Sequence, residues 1–263
     1  YTVTTSGTCA AQTEVGDITI VPIASLDVTS VSSTLNQTIC DGDNITPITF
    51  DFGGSATNAS GLGLPLGVTL GPIVGNTITI SGPANVNVVT PTTYTFTVTA
   101  TGNGTCEEES FTGRIVVLPN DTLTHLSGDK NPTTCNGNDP ANPGMTPIVY
   151  QLGGGATSGI VTGLPNGVSF TYSATTRQLT IDGTPSLAIA VPTPFNYTVT
   201  TIGSCASQTD SGIIMVNPLS TISLSSAVST TSQIGADGIC MGDSIAEIFY
   251  TYGGGATSFS ISG

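Results

Sequence analysis

Positive charge is nearly missing from this chain. Lys and Arg number 3 against 17 Asp and Glu in 263 residues, a formal net charge of -14. Nucleic-acid affinity comes largely from Lys and Arg displacing counterions from phosphate, so a nucleic-acid partner is excluded. Anionic membrane surfaces are disfavoured for the same reason. Tryptophan is absent and aromatics make up 6%, which counts against a stacking platform for sugars. The single histidine, His125, has no second metal-ligand type beside it, so neither a catalytic triad nor a zinc site can be assembled, and it reads as a strand-surface residue. No apolar run approaches the roughly 20 residues of a transmembrane helix, so direct membrane insertion is not expected. Nowhere does a helical period hold for three turns. There is no signal peptide or initiator Met, and Tyr1 opens inside a strand pattern. The expectation is an excerpt of a longer protein.

What is present is β grammar. The chain is 38% apolar with 33 Gly and 16 Pro, and its Thr, Val and Ile suit a pleated, half-buried surface while Gly and Pro punctuate turns. A mean hydropathy of +0.26 argues against disorder. The stretch Phe52-Gly53-Gly54-Ser55-Ala56-Thr57 returns as Leu152-Gly153-Gly154-Gly155-Ala156-Thr157 and as Tyr252-Gly253-Gly254-Gly255-Ala256-Thr257, a step of 100 residues each time. A fixed period of that size means tandem copies of one domain. The opening Tyr1-Thr2-Val3-Thr4-Thr5 matches Tyr197-Thr198-Val199-Thr200-Thr201, and Gly16, Gly113 and Gly212 each precede a proline by six residues (Pro22, Pro119, Pro218). This register sets the organisation: the closing strands of one module at 1–22, full modules at 23–119 and 120–218, and the opening of another at 219–263. Some seven short strands in about 100 residues is the grammar of an Ig-like sandwich. Linkers of one proline predict a semi-rigid rod of such sandwiches. Leu64-Pro65-Leu66-Gly67 and Leu164-Pro165-Asn166-Gly167 read as type I turns, with Pro second and Gly fourth.

Few residues offer chemistry. The glycine triplets lack the helix and lysine of a phosphate loop and read as a corner where the backbone changes sheets. The acidic turn Asp41-Gly42-Asp43-Asn44 offers oxygens to Ca²⁺, with a solvated turn as the alternative, and no other cofactor or catalytic group is expected. Glu107-Glu108-Glu109 reads as a solvated patch. Each module places one Cys before its second strand (Cys40, Cys135, Cys240) and one in its last hairpin (Cys9, Cys106, Cys205), a regularity that argues for disulfides and an oxidising, extracellular compartment. The two positions fall at opposite ends of a sandwich, whereas a disulfide needs Cα atoms within about 7 Å. Stapling of neighbouring modules, Cys40–Cys205, is therefore favoured; the alternative is pairing inside modules, Cys40–Cys106 and Cys135–Cys205.

Gln37-Thr38-Ile39-Cys40-Asp41-Gly42-Asp43, Leu164-Pro165-Asn166-Gly167-Val168, Ile80-Ser81-Gly82 and the Tyr-Thr-Val-Thr-Thr hairpins together resemble the PKD-like/Ig-like repeats of Bacteroidota surface proteins. The resemblance covers essentially the whole chain. Giant gliding adhesins similar to SprB are long arrays of such modules exported by the type IX secretion system. The resemblance implies a non-enzymatic stalk segment of a cell-surface adhesin, serving attachment or gliding motility. Its partners would be neighbouring modules, and beyond them surface polysaccharide or a motility or secretion apparatus. The alternative is a polysaccharide-binding or accessory module of a large secreted hydrolase. The same bacteria O-glycosylate Asp-Ser/Thr-apolar tripeptides, which makes Thr122 (Asp121-Thr122-Leu123) and Ser244 (Asp243-Ser244-Ile245) candidate glycosylation sites.

Overall fold

The computed structural model describes residues 1–102, 108–137, 144–226 and 240–263. The chain divides into two compact units, Tyr1–Pro119 and Asn120–Gly263.

In the first unit a hairpin of β1 (Thr2–Thr4) and β2 (Thr13–Val15) precedes a sandwich. The sandwich comprises β3 (Ala24–Val28), a 3-10 turn (Ser32–Leu35), β4 (Asn36–Cys40), β5 (Ile48–Gly54), β6 (Ala56–Leu62), β7 (Thr69–Leu70), β8 (Thr77–Ser81), β9 (Thr92–Gly102) and β10 (Glu109–Leu118). One sheet has the order β3-β5-β8-β7 and the other β4-β10-β9-β6. Strand β4 runs parallel to β10, and the other pairings are antiparallel.

The second unit repeats this order with β11 (Asp121–Ser127), β12 (Thr133–Cys135), β13 (Ile148–Gly154), β14 (Ala156–Thr162), β15 (Val168–Ser173), β16 (Gln178–Gly183), β17 (Thr193–Gly203) and β18 (Thr209–Asn217). Its sheets are β11-β13-β16-β15 and β12-β18-β17-β14, with β12 parallel to β18. A further pair, β19 (Ser220–Leu224) and β20 (Tyr250–Gly254), follows.

This is an all-β chain of tandem Ig-like sandwiches. In each, the first sheet takes the places A, B, E and D, and the second adds C, F and G. Alternation along the strands turns one face inward. Leu26, Ile48, Phe50, Ile78 and Ile80 meet Phe96, Val98, Ile115 and Val117 in the first sandwich. Ile148, Tyr150, Leu152 and Ile181 meet Tyr197, Val199, Ile214 and Val216 in the second.

Two details depart from the sequence expectation. Each sandwich has eight strands, because its first strand is split between the sheets. The polar residues between the halves supply the bonds of the crossing. Ser30 and Thr34 pair through their hydroxyls at 2.8 Å in the first sandwich. In the second, the Ile213 N–H donates to Asn131 Oδ1 at 3.0 Å and the Met215 N–H to Pro132 O at 2.9 Å. The Leu-Pro-x-Gly turns also close one residue later than expected. The Val68 N–H donates to Pro65 O at 3.0 Å, leaving Gly67 third with φ +92°, the glycine place of a type II turn.

A third glycine position explains the spacing to each proline. A Cβ on Gly113 would lie 2.3 Å from the Phe96 ring, one on Gly212 2.5 Å from the Tyr197 hydroxyl, and one on Gly16 2.7 Å from the Tyr1 ring. The last strand keeps glycine there so that the aromatic of the neighbouring strand can lie across it.

Candidate functional site

The repeated glycine corner and the cysteine turn both stand beside a linker proline. At the corner, β5 ends and β6 begins on the opposite sheet. Gly54, Gly154 and Gly254 have φ of +58°, +56° and +64°. A Cβ there would lie 1.8–1.9 Å from the carbonyl oxygen of Ile23, Asn120 or Leu219, the first residue after each proline. The next amide donates to that same carbonyl: Ser55 at 3.3 Å, Gly155 at 3.1 Å and Gly255 at 3.2 Å. Register shifts at Ala56/Asn58 and Ala156/Ser158 mark the bulges that complete the bend. The corner is a structural grip on the incoming linker, as its flanks suggested.

At the other end of each sandwich, Cys40 stands opposite Leu118 and Cys135 opposite Asn217, the residues just before Pro119 and Pro218. In the second sandwich Gly203, two residues before Cys205, stands opposite Ala156 at the corner. Cys40 and Cys205 each lie in a disulfide, whereas Cys9, Cys135 and Cys240 carry free thiols. With Cys135 free, the alternative Cys135–Cys205 pairing is not formed. Cys106, and with it the alternative Cys40–Cys106, lies outside the described residues.

The acidic turn is a brace. The Val86 N–H donates to Asp41 Oδ1 at 2.9 Å and the Val88 N–H to Oδ2 at 3.0 Å. Asn136 occupies the equivalent place in the second sandwich, accepting the Leu187 N–H at 2.8 Å and donating its amide to Leu187 O. Calcium needs six to eight oxygens. Asp41 has both of its oxygens on main-chain amides, Asp43 is exposed, and among the described residues no three His, Cys, Asp or Glu gather. The turn therefore does not fit that ion. Glu109 is also structural, its Oε2 accepting the Leu26 N–H at 2.8 Å, while Glu107 lies outside the described residues. Thr122 and Ser244 are exposed, Thr122 with its hydroxyl lying over Gly153.

The second sandwich holds a polar cluster that sequence reasoning missed. His125 is half-buried, its ring edge-on to Tyr150 at 5.4 Å between centroids, with Nε2 buried and without a hydrogen-bond partner. It faces inward and is not a surface residue. The Tyr150 and Tyr197 hydroxyls are 3.3 Å apart, Tyr197 donates to Lys130 O at 3.1 Å, and Lys130 Nζ meets Asp210 Oδ1 at 2.6 Å. Burial, then the Tyr197 hydroxyl, pushes the Tyr150 phenol up. Burial also raises Tyr197, against the opposing pull of the Tyr150 bond and the Lys130 charge. For Asp210 burial acts upward, but the Lys130 bond, the Ser211 N–H and the Lys130 charge together hold it below the usual range. The signal was available in the repeat register, since His125 and Asp210 fall where the first module has the apolar Val28 and Phe111.

Neither a scan of protein-family models nor a search of curated proteins finds a match for this chain. Among solved structures it is similar to the I-band fragment I67-I69 of titin, at 12% identity over 77% of this chain and 68% of that one, TM-score 0.47. An E-to-A variant of the same titin domains shows 11% identity over 91% and 90%, TM-score 0.49. Drosophila N-cadherin EC1-4 shows 12% over 70% and 47%, TM-score 0.45. Such values carry no functional inference, and the Ig-like assignment rests on the strand order itself. Among the described residues no helix is long and apolar enough to cross a membrane.

Proposed function

We propose that this chain is a stretch of the stalk of a long, secreted cell-surface adhesin of the Bacteroidota gliding type, exported by type IX secretion and carrying a binding tip away from the cell. The observation that supports this most is the double grip at the Pro119 and Pro218 linkers. The glycine corner bonds the residue after the proline, and a cysteine turn stands opposite the residue before it. Such a junction suits a chain that transmits tension. A Cys40–Cys205 staple would carry load past the one-proline linker, and three facts favour it. Each of the two is disulfide-bonded, each stands near the 118–120 linker within its own unit, and Cys9, Cys135 and Cys240 are free. In this pattern each module's Cys40-type residue pairs with the hairpin Cys of the module that follows it. Thr122 and Ser244 are the exposed positions for O-linked sugar.

Electron microscopy of the purified chain tests the stalk reading. A thin beaded filament is expected, and a compact globule would overturn it. Peptide mapping without reduction should return a Cys40–Cys205 pair; a Cys40–Cys106 pair would remove the staple. Intact-mass analysis of material from the native secretion host checks for sugar on the peptides bearing Thr122 and Ser244.

A further inference from the structure

The outer strand of the second sandwich, β15, is an open edge that the first sandwich closes off. The two modules align residue on residue here, because Ile80 in β8 stands opposite Ile48 as Ile181 in β16 stands opposite Ile148. Leu70 of β7 faces Ile80, and Phe170 of β15 faces Ile181. Thr171 therefore falls where the first module has Gly71, and Tyr172 where it has Pro72. Strand β7 stops after two residues at that Gly-Pro, whereas β15 pairs with β16 from Val168 through Ser173. Short edge strands, proline and charge are the usual guards of a sheet edge. Strand β15 has none of them.

The bonds already made show which groups of β15 face outward. The Gly183 and Arg177 carbonyls accept the Met145 N–H at 3.4 Å and the Leu152 N–H at 2.9 Å, on the β13 side of β16. Main-chain groups alternate sides along a strand, so Gln178, Thr180 and Asp182 face β15, and Ser173, Thr171 and Ser169 face them. Phe170 and Tyr172 then turn their N–H and C=O away from the sheet, on the side where the Val168 N–H donates to Pro165 O at 3.1 Å. Their rings lean on the core, while the Thr171 side chain is exposed.

We propose that β15 is a pairing edge for a second copy of this chain, joined antiparallel about a two-fold axis at Thr171. Self-complementarity picks out that occupant. The register that uses both outward N–H groups and both outward carbonyls sets Phe170 of each copy against Tyr172 of the other, exchanging N–H···O bonds in both directions. Thr171 then faces its own counterpart on the exposed side, and ring faces ring on the inner side, both favourable cross-strand pairs. Charge points the same way. A chain of net charge -14 repels its copies, yet no residue from 144 to 176 is charged, a span that takes in β13, β14 and all of β15. Pairing makes the four-stranded sheet β11-β13-β16-β15 continuous across both copies. The same patch is used on each side, so the contact is isologous and closes at two chains. The proposal is independent of the adhesin reading.

Sedimentation equilibrium on the 263-residue chain, with free thiols alkylated to exclude intermolecular disulfides, tests this. The weight-average mass should rise with concentration from the 26.4 kDa of a single chain and level at about twice that value. Thr171→Lys and Thr171→Glu each set like charges directly opposite one another at the axis, so each variant alone should stay monomeric. An equimolar mixture of the two should dimerise again, because unlike charges then meet. Tyr172→Pro installs the first module's residue, removes an outward N–H and should also abolish the dimer while β15 stays paired with β16. A wild-type chain that stays monomeric at every concentration would overturn the proposal. So would association that survives Thr171→Lys, or a mixture of the two charged variants that stays monomeric.

Discussion

The two complete sandwiches share one strand order and fill the same inward places differently. Where the first has Val28, Phe50, Phe96 and Phe111, the second has His125, Tyr150, Tyr197 and Asp210. The first packs ring on ring, with Phe50 and Phe111 at 6.0 Å. The second runs a hydrogen-bonded line from Tyr150 through Tyr197 to Lys130 O, with Lys130 tied in turn to Asp210. Topology is thus held by what the modules share, the glycine corner above all, while core chemistry drifts: the tyrosine hydroxyls and Lys130 find partners, as buried polar groups generally do, and His125 Nε2 is left without one.

The shared element should therefore give the largest effect, and the same one in both. Gly54→Val and Gly154→Val each add a Cβ within 1.9 Å of a backbone carbonyl, at positive φ. A loss of roughly 4 kcal/mol or more is expected, enough to prevent folding. Circular dichroism on polypeptides 23–119 and 120–218 would show it. If one module tolerates the change and the other does not, the corner is not the common foundation.

The brace breaks the comparison at a smaller scale. Asp41→Ala strands the Val86 and Val88 N–H groups and should cost about 2 kcal/mol in urea unfolding. The reciprocal exchange is more telling. Asp41→Asn offers Val88 an NH₂ where it needs an acceptor, and Asn136→Asp sets a carboxylate against Leu187 O. Both should destabilise, although each installs the residue the other module uses. Equal stability after either exchange would mean the turns do not depend on these bonds.

The sequence showed the ruler, the hairpins, the corner and the regular cysteines, because each depends on local residue types at fixed spacing. The brace was not legible. Asp41 and Val86 are 45 residues apart, and an acidic Gly turn looks the same whether its oxygens meet a cation or an amide. Nor was the split first strand, since the parallel pairing of β4 with β10 depends on an edge created at the other end of the module. Lys130 and Asp210 are 80 residues apart, and no local pattern links them.

The tyrosine line gives the next effect. Phe50→Tyr places a hydroxyl in an apolar core with no bonding partner beside it and should cost about 1–3 kcal/mol. Tyr150→Phe should cost at most about 1, since Tyr197 keeps its bond to Lys130 O. Both tyrosines are raised above the ordinary phenol value of about 10. Their contribution is fully present below that pH and is lost as pH rises beyond it. The urea midpoint of polypeptide 120–218 should therefore fall above about pH 10, and Tyr150→Phe should flatten the fall. A slope unchanged in Tyr150→Phe would place the alkaline sensitivity elsewhere.

The smallest effect belongs to the ion pair. Lys130 and Asp210 side chains are 34% and 30% exposed, so solvent screens them, and Lys130→Met should cost roughly 0.5 kcal/mol. Asp210 is held below its ordinary value, so its contribution is present above the usual carboxylate range and is lost as pH falls through the depressed folded value. The gap between wild type and Lys130→Met should accordingly close in acid and shrink in high salt. Met keeps an unbranched stem of similar length while removing the charge. A gap that persists through both acid and salt would mean the lysine holds the crossing from β11 to β12 by packing. The second module's difference from the first would then be one of shape and not of charge.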